Sequence, residues 1–215
     1  MNDLLAKLSA AHFGAFTSRD AYECGYHPQS LSQLVRRGQI TRVGPGAYVD
    51  RERYEAASPE RRHEMSTRAV VRTFDGRVYA SHYSALTLMS LPVFGAPLGH
   101  IHVARAADAL SRRRSGLSIH TAYGIGAGRL IGGTPSVTPA LAILGAAMTC
   151  GIETGVVAAD AALAVGKTTV DDLQTCLDRL SLHRHVPPPP QDVRLPDARP
   201  ERVVVSRRAR ERRAL

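Results

Sequence analysis

Leu4, Leu5 and Leu8 repeat at i, i+1 and i+4 and predict a first helix over Asp3–Ala11, with Phe13 and Phe16 plugging the junction behind it. Thr17 and Asp20 have the Thr-x-x-acid spacing of a capping box, so a second helix starts there, and Gly25 ends it as a left-handed cap. Pro28 has the φ a first helical turn needs, and Gly38 gives the next stop. On the helix between them Leu31, Leu34 and Val35 share one face. Gln29, Gln33 and Arg36 project from the opposite face, with Ser30, Ser32 and Arg37 at its flanks. Two short runs of β-formers then surround Gly44-Pro45-Gly46, a hairpin signal.

Helix, turn, helix and hairpin in that order, over Thr17–Asp50, read as a winged helix-turn-helix. The polar face of its last helix is all amide, hydroxyl and guanidinium. Those groups pair with adenine and guanine edges or hold phosphates in a major groove. The residues expected to meet DNA are therefore Arg19, Gln29, Ser30, Ser32, Gln33, Arg36 and Arg37, with Arg42 on the wing.

Beyond the wing, Tyr54–Phe74 is charged and helical in pattern, restarts at Ser58-Pro59, and is expected to connect two domains. A helix is predicted from near Ser81 to Pro92. His100–Arg105 and Gly116–Ala122 read as strands separated by a basic turn at Arg112–Gly116. Thr138-Pro139 opens a helix running to about Cys150. Ile152–Val165 is Ala-rich and helical, and Thr169 with Asp172 repeats the capping-box spacing ahead of a helix to Leu182. From His185 the chain turns to four prolines at 187–190 and then to Arg-rich sequence poor in large apolar groups, which predicts disorder. The fold class is α+β: a winged helix-turn-helix domain (1–52), a mixed α/β domain (53–184) and a disordered Pro/Arg-rich tail (185–215).

The chain of 215 residues has a formal net charge of +9, which suggests a polyanionic partner. Its distribution changes the picture. Residues 1–50 hold five basic and four acidic groups, 51–183 fourteen and eleven, and 184–215 nine and four. The DNA module is nearly neutral and relies on where its arginines sit, while the tail supplies general attraction to phosphate. No apolar run is long enough to span a membrane, and the start MNDLLAKL is not a signal peptide, so the expected location is the cytoplasm. Cys24, Cys150 and Cys176 are odd in number and far apart, against both a CxxC metal pair and a disulfide framework.

Candidate chemistry is sparse. His100 and His102 share one strand face and could offer two imidazoles to a metal, but no third ligand lies nearby in sequence, so they read as ordinary half-buried histidines. Glycines 124, 126 and 128 lack the following helix of a phosphate cradle and read as a hairpin loop. His82, Ser84 and Asp160 lack the GxSxG context of a hydrolase. Asp171 and Asp172, about 100° apart on a helix, complement its dipole rather than share a metal. Neither a catalytic residue, nor a metal, nor a cofactor is expected.

The series RRGQITRVGPGAYV, SHYSALTLMSLP, HIHV, RRRSGLSIH, TPSVTPALAILGAAM and VVAADAAL resembles the AbiEi-like antitoxins of type IV toxin-antitoxin systems, in their actinobacterial form, over about residues 5–182. The resemblance implies a bacterial autorepressor. Its winged helix would bind inverted repeats in double-stranded DNA of its own promoter, and its second domain would act as antitoxin against a separately encoded nucleotidyltransferase toxin. Leu144-Gly145 stands where the family usually has an Asp, and many relatives continue into a nuclease-like domain that this chain lacks. The alternatives are a truncated relative of a nuclease-bearing protein, or a toxin- or protein-interaction module without DNA binding. A nuclease would need clustered carboxylates with a nearby Lys, and the sequence offers no such cluster.

Overall fold

The structure, a computed structural model, describes residues 1–107, 111–122 and 128–183. The expected disordered tail, Gly124 and Gly126 lie outside the described residues. Helix α1 (Asp3–Ala11) starts at Asn2, whose side chain accepts from the Leu5 amide; Leu5 is buried and Leu4 exposed. Strand β1 (Ala15–Thr17) follows, then α2 (Ser18–Glu23), which opens on the expected capping box of Thr17 and Asp20. Helix α3 (Pro28–Arg36) has its proline in the first turn and buries Leu31 and Leu34. Gly25 and Gly38, both at positive φ, stop the two helices where predicted.

The wing is an antiparallel pair, β2 (Ile40–Gly44) and β3 (Ala47–Asp50). Pro45 and Gly46 form its turn, and Gly46, at φ 70°, supplies the left-handed corner. β1 was not foreseen: it pairs with the free edge of β3, Ala15 opposite Val49. Three residues, all buried, give no polar-apolar alternation from which to read a strand.

The stretch expected to be a connector holds a largely buried helix that packs on both sheets. After α4 (Arg51–Ala56), α5 (Pro59–Arg72) buries every residue from His63 to Val71. Its Met65, Ala69 and Val70 share one core with Ala15, Ala47 and Val49 of the wing sheet, while Leu5, Phe16, Ala21, Leu31, Leu34 and Ile40 form a smaller core under α3. Charge concealed this burial. Arg68 is paired with Glu64 at 2.8 Å, donates to the carbonyls of Ile131 and Gly132 and to Thr134 Oγ1, and covers the ring of Phe13 at 4.1 Å. Buried charges need such pairing, and here the carbonyl and hydroxyl partners lie more than 60 positions away in sequence.

Next come β4 (Val78–Ala80), α6 (His82–Leu88), β5 (Ile101–Arg105), β6 (Arg112–Arg114), β7 (Leu117–His120), β8 (Arg129–Ile131) and β9 (Thr134–Ser136). They form a mixed sheet in the order β6-β7-β5-β4-β9-β8. The predicted strands are present, but the basic turn between them is itself partly strand: β6 runs antiparallel to β7, and this brings β7 alongside β5 in parallel. Exposed arginines on an edge strand are a common guard against edge pairing, and they read as a turn in sequence. Gly128 leads into the β8–β9 hairpin. Helices α7 (Pro139–Cys150), α8 (Ile152–Ala164) and α9 (Val170–His183) complete the α+β fold, with Thr138 capping α7 and Thr169 and Asp172 exchanging the predicted bonds ahead of α9. No helix among the described residues is long and apolar enough to cross a membrane.

Candidate nucleic-acid interface and a histidine cluster

Leu31 and Leu34 anchor α3 to the small core, so its opposite face is held outward. Gln29, Ser32, Gln33, Arg36 and Arg37 are exposed and Ser30 is half-buried. The Ser32 hydroxyl donates to the Pro28 carbonyl at 3.0 Å, whereas the side chains of Gln29, Gln33, Arg36 and Arg37 have no hydrogen-bond or ion-pair partner among the described residues. Unpaired amides and guanidiniums on one helical face are donors and acceptors ready for a ligand. The first turn of α3 carries no acidic residue and its N-cap, His27, makes no side-chain bond, so nothing there repels a phosphate. On the wing, exposed Arg42 donates from Nε to the Gly44 carbonyl at 3.2 Å, which folds the guanidinium back toward the turn. Arg19 differs from the rest of the set: it is paired with Glu23 at 3.2 Å and Asp75 at 3.5 Å. Both pairs are exposed, so they hold it weakly.

The second grouping was not legible as such. His100 and His102 do not act together; His100 turns its Nε2 to Ser118 Oγ at 2.8 Å. His102 instead faces His120, Nδ1 to Nε2 at 2.9 Å, and His82 from the start of α6 stacks on His120 with centroids 3.9 Å apart. One nitrogen from each of His82, His102 and His120 lies within 4.8 Å of the others. Burial, and then the neighbouring imidazoles, push His102 down to about 3; burial and His100 take His120 to about 4, and His82 falls well below the ordinary range for the same kind of reason. Burial thus favours the uncharged ring in all three. The signal was a His in each of HIHV and SIHT, but their meeting depends on the parallel register, in which Ala104 lies opposite His120.

The hydrolase-like trio is dispersed. Ser84 Oγ is taken by His63 Nε2 at 2.8 Å and by the His102 amide at 2.9 Å, His82 Nδ1 faces Ser81 Oγ at 3.0 Å, and Asp160 is exposed on α8. Asp172 serves the cap of α9, as expected of a first-turn acid. The three cysteines are free thiols, Cys176 buried and the others half-buried.

No curated protein matches the chain. Residues 3–49 match a family described as "Transcriptional regulator, AbiEi antitoxin", a span that runs from α1 to the last strand of the wing. The winged helix that opens this chain is thus similar to that of the AbiEi antitoxin family of transcriptional regulators.

Proposed function

We propose that the protein is a non-enzymatic, sequence-specific DNA-binding autorepressor and the antitoxin of a type IV toxin-antitoxin system, acting in the cytoplasm. The observation that supports it most is the exposed face of α3, where Gln29, Gln33, Arg36 and Arg37 have no partner among the described residues and Arg42 stands nearby in sequence on the wing. A helix held by its apolar face with amides leading and arginines trailing suits a major groove: the amides read base edges and the arginines hold phosphate. The operator is double-stranded DNA, with inverted repeats if two copies bind.

The antitoxin role is carried by the family description of residues 3–49, and the partner it suggests is a nucleotidyltransferase-type toxin from a neighbouring gene. Two measurements on the intact chain separate the roles. Repression of a reporter behind the chain's own upstream DNA should be lost in the double variant Gln29→Ala/Gln33→Ala, while rescue from the co-expressed toxin persists. Loss of rescue with repression intact would place the two roles the other way round. Metal-dependent, specific cutting of plasmid DNA, abolished by point changes in this chain, would replace the repressor reading with a nuclease.

A further inference from the structure

We propose that His82, His102 and His120 form a binding site for one divalent transition-metal ion of the zinc type. The three residues come from three elements, the start of α6, β5 and β7, and the topology rather than the sequence brings them together. Tetrahedral zinc sets its nitrogen ligands about 2.0–2.1 Å from the metal and hence about 3.3 Å from one another. The His102 Nδ1 to His120 Nε2 distance of 2.9 Å is already close to that, and the widest separation in the trio is 4.8 Å, which one ring turning inward closes.

Further features of the geometry point to a ligand. His82 has a left-handed backbone, φ 52°, a strained conformation for a residue with a Cβ, of the kind that collects at functional sites. The ring it positions lies against Gly145 of α7, where an added Cβ would sit 3.0 Å from the imidazole Cγ. Ser81 Oγ, 3.0 Å from His82 Nδ1, is placed to accept from that nitrogen and fix its tautomer, the usual service of an outer partner to a metal-binding histidine. A cleft of about 600 Å³ opens on His102 and His120 and is also lined by Arg112 and Arg113. Three protein ligands leave one position to fill, and water or a small anion can reach it from that cleft.

The test uses the intact chain, stripped with EDTA and titrated with Zn²⁺ by calorimetry and with Co²⁺ by visible absorption. The expected result is one ion per chain and the intense spectrum of tetrahedral cobalt. His102→Gln and His120→Gln should each weaken binding by at least about tenfold, in the range that disturbing a metal shell produces, whereas His100→Gln, whose ring turns to Ser118, should bind as the parent does. Absence of saturable binding in the parent overturns the proposal. So does a weak octahedral cobalt spectrum, which stays decisive if a glutamine variant does not fold, and so does binding that both glutamine variants retain in full.

Discussion

Arg72 donates from Nη2 to Oδ1 of Asp20 at 2.7 Å, tying the helix that supports the second sheet to the capping residue of the helix before α3. The same carboxylate closes the capping box, taking the Thr17 amide at 2.8 Å and the Thr17 hydroxyl at 2.9 Å. One side chain thus sets the start of α2 and docks the winged helix on α5. Asp20→Ala removes a cap and a charged hydrogen bond together, so it should cost about 3 kcal/mol of stability, measurable by urea unfolding. A loss near zero would mean the contact is dispensable.

The same pair gives an acid limb. Burial alone would raise the Asp20 carboxyl, but the hydrogen bonds from Arg72 and Thr17 outweigh it and hold the group below its ordinary value. The unfolded chain therefore binds more protons between the two values, and stability rises with pH there. Asp20 contributes in full above its unfolded value of about 3.9 and loses that contribution as pH falls through the folded one. Asp20→Asn should be less stable than the parent at pH 7, and the gap should narrow as the pH drops below about 4. A gap that is constant with pH would contradict this.

The Ala-rich helices depend on close approach. A Cβ added at Gly155 of α8 would lie 2.5 Å from the Cβ of Ala147 on α7, inside any real contact. Glycine is a poor helix former, so substitution there would otherwise help. Gly155→Val should instead lower stability by about 2 kcal/mol, because the helices must separate. Thermal unfolding that shows no loss would mean α8 shifts freely.

Local signals were readable and long-range ones were not. Thr17 with Asp20, Thr138 with Pro139, and Thr169 with Asp172 each announced a helix from within four residues, and the α3 face followed from its period. The helix α5 read as a connector because His63, Glu64 and Arg68 occupy its buried side; Glu64 pairs within the helix, but what satisfies His63 and Arg68 comes from Leu98, Ser84 and the β8–β9 hairpin. Strands of three residues, such as β1, β4 and β6, carry no periodicity to detect. The histidine trio needed strand order, which no spacing encodes.

The wing and the recognition helix should differ in salt dependence. Arg42→Ala should weaken binding to every duplex alike and reduce the slope of log affinity against log salt by about one unit, the signature of a lost phosphate contact. An unchanged slope would take Arg42 out of the interface.

The most direct test of the account is binding of the intact protein and of Gln33→Ala to two duplexes, the DNA upstream of its own gene and a random sequence of equal length, at one fixed salt concentration. The parent should prefer the upstream duplex, and Gln33→Ala should lose about 1–3 kcal/mol on it while its binding to the random duplex stays as it was. A parent that binds both duplexes equally, or a variant that loses the same affinity on both, would contradict base reading by α3.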